Sequence, residues 1–378
     1  MIARRPAKDG LRVAVTGASG FIGGRLATLL ASQPGMAEVR VLARRRIPGQ
    51  AAATLARLDD PAQVRAALQG CHAVVHCAFD NYDLPANLAI AQVLAEAAVL
   101  TGVRLVHLSS AVVHEPFPDG ALDEGAPAVA DGDAYKSTKI AIEQALLSCV
   151  RDRGLDLAIL QPTIVYGPEG GAWTDSPVRE LLTGEVVLPA QGEGLCNAVF
   201  VDDVCQAAIA ALTADIASGE RFLISGAAPV AWREFLGAYE RMLGVHSLRL
   251  ADLPVPAVQP VIGGDHASRP SMAGALKRLI ATRLGAAGRS RLNLLVQRAR
   301  RMVRGRRVYL PNSAKYALYA ARCHVRIDKA RRLLGYEPQF DLARGMEATE
   351  AYVRHAYAGS ARAADLQQAR RAIPRSAA

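Results

Sequence analysis

Between Leu11 and Pro162 the hydrophobic period changes repeatedly, and this constrains the fold more than any other feature of the chain. Short apolar runs rich in β-branched residues (LRVAVTG, EVRVLAR, HAVVHCA, VRLVHLSS, LDLAILQP) alternate with stretches of helical spacing (FIGGRLATLLAS, PAQVRAALQG, ANLAIAQVLAEAAVLTG, AYKSTKIAIEQALLSCVRDRG). Near-continuous apolar strands, each followed by a helix, specify parallel strands joined by right-handed crossovers, with helices on both sheet faces. The expectation is an α/β chain: a Rossmann-type doubly wound parallel sheet over 11–162, then a smaller substrate-binding part over 163–357. Residues 358–378 are expected as a flexible tail. After Pro162 the alternation breaks into loops rich in Gly and Pro (YGPEGG, PAQGEG), as suits a part that shapes a binding site. At 378 residues and 51% hydrophobic, the chain can bury a sizeable core.

The first strand runs into Thr16-Gly17-Ala18-Ser19-Gly20-Phe21-Ile22-Gly23, which opens the first helix. Gly17 permits the tight turn, Gly20 lets a pyrophosphate approach the backbone at the helix N-terminus, and Gly23 lets helix and strand pack closely. A glycine triplet alone is weak, but its place between strand and helix of a βαβ unit is the context a dinucleotide site needs. The second strand ends in Leu42-Ala43-Arg44-Arg45-Arg46, with no acid where a ribose 2′-hydroxyl would be held. Arg44 and Arg45 therefore favour NADP over NAD. The alternative is a solvated basic loop.

Tyr135-Lys136-Ser137-Thr138-Lys139 begins a helix, so Tyr135 and Lys139 lie on one face, a turn apart. A tyrosine with an ordinary pKa of about 10 is a poor base near neutrality, and an adjacent ammonium favours its phenolate. That pairing suits acid–base work beside a hydride transfer. The strand ending Leu108-Ser109-Ser110 points its carboxyl end at the same crevice, where a hydroxyl could hold a substrate oxygen.

Taken in order, TGASGFIG, HCA, LSSAVV, YKSTK and QPTIVYGP, with the C-terminal Asp328 to Gly345 stretch, resemble the extended short-chain dehydrogenase/reductases, the NAD-dependent epimerase/dehydratase family. The resemblance spans nearly the whole chain. It implies Ser110 as catalytic hydroxyl, Tyr135 as acid/base, and Lys139 as its pKa-lowering, ribose-binding partner. It also implies cofactor contacts at Gly17, Ser19, Gly20, Phe21, Ile22, Gly23, Leu58, Ala78, Ser109, Tyr135 and Lys139. The loop Pro162, Thr163, Ile164 and Val165 should meet the carboxamide end of the nicotinamide, and Asn87 should anchor structure. Four positions depart from the family. Arg57 replaces an Asp before Leu58, and Ser110-Ala111-Val112 replaces the Thr-Asp-Glu of the dehydratases. His114 stands for a Tyr, and Cys196-Asn197 replaces an arginine that often grips a nucleotide-sugar diphosphate. A 4,6-dehydratase is accordingly disfavoured, because the acids that would expel a hydroxyl are missing.

The function so implied is an NAD(P)-dependent epimerase or reductase of a sugar nucleotide or lipid-linked sugar. The alternative is a ketoreductase resembling 3β-hydroxysteroid dehydrogenases, on an apolar carbonyl or alcohol. A non-catalytic dinucleotide-binding protein is opposed by the intact Ser110/Tyr135/Lys139 set. Six scattered cysteines form no CxxC pair or metal-like cluster, so no metal is expected and the thiols read as reduced in a cytoplasmic protein. Neither a secretory signal nor an apolar run of about 20 residues is evident. The net charge of +10 is local: 266–327 hold fifteen Lys or Arg and no acid, leaving 30 basic against 35 acidic residues elsewhere. In that insertion Leu292, Leu295, Val296, Ala299, Met302 and Val303 recur at helical spacing among arginines. Two readings fit: helices with a solvated basic face closing over the substrate part, or peripheral contact of 270–308 with an anionic membrane at its inner face. Nucleic acid is not an expected partner, since no reader module is matched. A small-molecule substrate and a homodimer are expected.

Overall fold

Each apolar run in the first half of the chain forms a strand. With two short strands that match none of these runs, β3 and β6, the strands in chain order are β1 (Leu11–Thr16), β2 (Met36–Ala43), β3 (Ala53–Leu55), β4 (Ala73–His76), β5 (Arg104–Leu108), β6 (Gly120–Leu122) and β7 (Leu157–Pro162). Between them lie α1 (Phe21–Ala31), α2 (Pro61–Leu68), α3 (Leu84–Thr101) and α4 (Ala134–Arg153). With β12 (Glu220–Ile224) the larger strands form a seven-stranded sheet of order β12-β7-β5-β4-β1-β2-β3, every pairing parallel. The expected Rossmann-type α/β sheet is present. The order reverses between β1 and β4, where Thr16 pairs with His76, and a doubly wound sheet opens its ligand crevice at such a switch point.

The helices start and stop where local chemistry dictates. Asp60, Asp83 and Asp133 cap α2, α3 and α4 by accepting from backbone N–H groups of the first turn. Gly102 and Gly154 end α3 and α4 in the left-handed conformation. Leu94, Leu105, Leu146, Leu157 and Ile159, all fully buried or nearly so, join one core under α3 and α4. Helix α3 is long and apolar enough to cross a membrane by composition, although only 33% of its window is buried. Its contacts with α2 and α4 instead place it in the layer flanking the sheet.

The computed structural model describes residues 10–44, 53–81, 83–253 and 307–371. They fall into two units interleaved along the chain. The first is Met1–Val165, Val199–Ala228 and Cys323–Phe340; the second is Tyr166–Ala198, Pro229–Arg322 and Asp341–Ala378. The single boundary at Pro162 drawn from the sequence thus becomes several crossings. The reason is pairing: β12 must return to the sheet edge beside β7, and β16 (Cys323–Val325) pairs with β6. Between these, β8 (Ile164–Tyr166), β11 (Ala198–Phe200) and α6 (Val201–Ala211) follow in the chain.

The second unit has its own small sheet, in which β9 (Gly184–Leu188) is flanked by β14 (Leu248–Leu250) and β15 (Arg307–Tyr309), both parallel to it. Strands β10 (Leu195–Cys196) and β13 (Val230–Ala231) pair antiparallel. Helices α5 (Ser176–Thr183) and α7 (Trp232–Leu243) pack together beside an aromatic cluster of Trp173, Trp232, Phe235, Tyr239 and Tyr319. Buried Asp175 accepts hydrogen bonds from the Tyr352 and Tyr357 hydroxyls, each at 2.9 Å, tying the last helix to this cluster. That helix spans Leu342–Arg371, so 358–371 continue it where a tail was expected, and 372–378 lie outside the described residues. Most of the basic insertion, 254–306, also lies outside them.

Candidate active site

The turn after β1 is made by a backbone that tolerates no side chain. Gly17 has φ +73°, and a Cβ there would sit 2.6 Å from the Ala78 amide nitrogen. At Gly23 a Cβ would meet the Gly17 carbonyl oxygen at 2.5 Å, so helix and turn are in backbone contact. Helix α1 starts at Gly20 without a side-chain cap or an acid in its first turn. Its N-terminus therefore presents N–H groups and the positive end of a helix dipole to a ligand. Ser19 and Gly20 are exposed, and Phe21 and Ile22 half-buried. This cradle fits a pyrophosphate by size and charge. The Ala78 N–H donates to Thr16 Oγ1 at 3.2 Å, and that hydroxyl lies 2.8 Å from His76 Nδ1, fixing the β1 and β4 ends together.

At the adenosine end, Arg44 is exposed after β2, and Leu58 is buried beyond β3. Arg45 lies outside the described residues. Arg57, at the unusual position, pairs with Asp59 at 2.8 Å on the surface.

Ser110 is in extended conformation after β5 and caps the short turn Ala111–His114. Tyr135 and Lys139 occupy the first two turns of α4, and the Tyr135 phenol lies near the Ser110 hydroxyl. Lys139 Nζ donates to the Leu108 carbonyl at 3.0 Å and stands 4.4 Å above the Phe79 ring and 5.8 Å from the Tyr135 ring centroid. Phe79 meets Tyr135 edge-on, with centroids 5.1 Å apart. The three residues singled out from the sequence thus converge at the carboxyl ends of β4 and β5. Burial pushes the Tyr135 phenol up, opposed by the Ser110 hydroxyl. Burial lowers Lys139 to about 8, against the opposing pull of the Glu143 carboxylate and then of Cys77. The lowered phenol expected from the neighbouring ammonium is therefore not found, because desolvation is the larger effect here.

Ser109 is placed differently from Ser110: its hydroxyl is buried and donates to Glu143. The Gln161 amide donates to both Glu143 oxygens, at 2.9 and 3.1 Å, and Gln161 Oε1 lies 3.1 Å from His114 Nε2. Sequence reasoning missed Glu143, Gln161 and Phe79. A further period was available for Glu143, which stands four residues after Lys139 on the same helix face. Thr163 donates its N–H to the Ile224 carbonyl at 3.0 Å, which holds the Pro162–Val165 loop to the end of β12. Asn87 accepts from the Asp80 N–H and donates to the Asp80 and Asp83 carbonyls, so it anchors the loop before α3. His76, pushed down to about 3 by burial, and His107, pushed well below the usual imidazole range by burial, are neutral. Burial raises the Cys77 thiol to about 12, which disqualifies it as a nucleophile near neutrality. Among the described residues no group of three His, Cys, Asp or Glu could hold a metal.

Residues 13–225 match the NAD dependent epimerase/dehydratase family, more than half of the chain. A dTDP-glucose 4,6-dehydratase of Streptomyces niveus is 31% identical over 228 residues, 52% of this chain and 67% of that protein. A 3beta-hydroxysteroid-dehydrogenase/decarboxylase of Arabidopsis thaliana is 27% identical over 201 residues, 48% of this chain and 36% of that protein. Among solved structures, a UDP-glucuronic acid 4-epimerase from Bacillus cereus in complex with NAD superposes with a TM-score of 0.63 at 18% identity. That match covers 92% of this chain and 98% of the other. The likeness at that identity concerns the fold. The family match, the Rossmann sheet and the glycine turn agree, and the chain belongs to the NAD-dependent epimerase/dehydratase family, as an enzyme of the extended short-chain dehydrogenase/reductase type.

Proposed function

We propose that the chain is an NADP(H)-using epimerase or reductase of a sugar nucleotide or lipid-linked sugar. The observation that carries this reading is the buried Lys139 ammonium, which donates to the Leu108 carbonyl two residues before Ser110 and stands 5.8 Å from the Tyr135 ring centroid. The α1 N-terminus, with Gly17, Gly20 and Gly23, would hold the pyrophosphate, and Lys139 the ribose next to the nicotinamide. A bound nicotinamide dinucleotide supplies a hydride acceptor or donor. Ser110 orients the substrate hydroxyl or carbonyl oxygen, and Tyr135 takes or returns its proton as the hydride moves. Phe79 packs under the Lys139 ammonium and edge-on to Tyr135, which holds the two side chains together.

Arg44 supports NADP, since a guanidinium replaces the carboxylate that would hold a 2′-hydroxyl. The NAD seen with the Bacillus cereus epimerase belongs to that protein. Although the Streptomyces niveus relative is named a 4,6-dehydratase, the turn after Ser110 here carries Ala111 and Val112, neither of which can protonate a leaving hydroxyl. A second reading, a ketoreductase on an apolar substrate, is favoured by Cys196, which is fully buried where a diphosphate-gripping arginine often stands. A homodimer through α3 is supported by how much of that apolar helix is left unburied.

Incubation with UDP-glucose or dTDP-glucose, with and without added NADPH, tests the reading. Protein that arrives with dinucleotide bound and interconverts sugar epimers without added cofactor is the epimerase outcome. Oxidation of added NADPH by a keto-sugar is the reductase outcome. Turnover of an apolar ketone alone would move the assignment to the second reading.

A further inference from the structure

We propose that Glu143 is a positioning residue, the fixed counter-charge that keeps buried Lys139 an ammonium in the place where it meets the cofactor. The proposal rests on the reading of Lys139 as the ribose-binding partner. A lysine buried like this one loses most of its hydration, and burial disfavours its charged form. The groups facing it come from three directions. From β4 and the residues after it come His76, Cys77 and the Phe79 ring; from β5 come His107 and the Leu108 carbonyl; from α4 come Tyr135 and Glu143. Both histidines are neutral and the thiol is protonated, for the reasons given above. Among these groups, only Glu143 brings a negative charge.

The carboxylate is built to stay. It is 3% exposed, it accepts from the Ser109 hydroxyl, and both of its oxygens accept from the Gln161 amide. Gln161 is itself fully buried, and its own oxygen faces the His114 imidazole. These donors fix the carboxylate in place, one turn of α4 beyond Lys139. Ser109, adjacent to the catalytic Ser110 but turned to the other side, thus acts through Glu143 rather than on substrate.

The test needs no substrate. NADPH and NADH affinities are measured by cofactor fluorescence from pH 6.5 to 10 for wild type, Glu143→Gln, Glu143→Asp, Ser109→Ala and Lys139→Met, with thermal melts to confirm folding. Wild type is expected to lose affinity roughly tenfold as Lys139 deprotonates near pH 8, because a charged hydrogen bond becomes a neutral one. Glu143→Gln moves that midpoint down by about one pH unit or more, Glu143→Asp restores most of it, and Lys139→Met has no step. If Glu143→Gln does not fold, Ser109→Ala carries the test, with a smaller shift in the same direction. A wild-type step whose midpoint is unmoved in the folded variants overturns the role of Glu143 alone. Absence of any step in wild type overturns the ribose-binding reading of Lys139 and the inference with it.

Discussion

At the carboxyl end of β1 the crevice is built from backbone, whereas at the carboxyl end of β5 it is built from side chains, half-buried at Ser110, Phe79 and Tyr135 and buried at Lys139 and Glu143. The first end works by exclusion: no Cβ fits at Gly17 or Gly23, and the helix that follows starts without a side-chain cap. The second end works by desolvation and charge, with Tyr135 near Ser110, Lys139 over Phe79, and Glu143 clamped behind them. A site of the first kind should fail abruptly when any atom is added. One of the second kind should keep its shape and lose its chemistry when a single proton or charge is removed.

The largest effect is expected from Tyr135→Phe, which removes only the transferable proton. Turnover of whichever substrate proves active should fall about 10²–10⁴-fold while cofactor affinity changes by less than about threefold, read by steady-state kinetics and fluorescence titration. Gly17→Ala should do the reverse. The left-handed backbone and the 2.6 Å approach to Ala78 make the variant less stable by about 1–3 kcal/mol, seen as a lower Tm, with cofactor binding lost in the protein that still folds. Retained binding in Gly17→Ala would erase the contrast between the two ends. A smaller effect is expected from Arg44→Ala, which should narrow the NADPH-over-NADH preference by roughly tenfold. Because Arg44 is exposed, that preference should also shrink with salt in wild type, as titrations at two ionic strengths would reveal. The smallest effect lies outside the crevice. Val308 and Leu310 are exposed beside Arg307, at the described end of the basic insertion. If the insertion meets an anionic membrane, wild type should cosediment with vesicles containing anionic lipid and less so in salt, whereas helices that close over the substrate part leave it indifferent to vesicles. On the membrane reading Leu295→Asp with Met302→Asp releases the protein without lowering Tm; on the other reading the same pair buries charge and lowers Tm.

The contrast also explains what was legible in the sequence. The Rossmann strands could be read because burial on both faces forces near-continuous apolar runs, and the glycine turn because its steric demand admits one residue type. Tyr135 and Lys139 could be paired because four residues is one helical turn. The interleaving of the two units was not legible: β12 and β16 return to the first unit through pairings that leave no mark in local periodicity. Glu143 and Gln161 receive no role from the sequence, and Ser109 is expected there only as a cofactor contact, since a polar clamp assembled from α4, β7 and the end of β5 has no spacing in the chain. The direction of the Tyr135 shift was missed for a related reason. Nearby charge can be guessed from sequence, but the desolvation that outweighs it depends on how tightly Phe79 and the strand ends close around the ring.

The most direct measurement is a structure of this chain with NADPH bound. The account predicts the pyrophosphate at the α1 N-terminus against Gly17–Gly23, the 2′-phosphate beside Arg44, and the nicotinamide ribose within hydrogen-bond reach of Lys139, with Tyr135 at the nicotinamide. A dinucleotide whose pyrophosphate lies away from the β1 turn, or whose nicotinamide ribose is out of reach of Lys139, would contradict it.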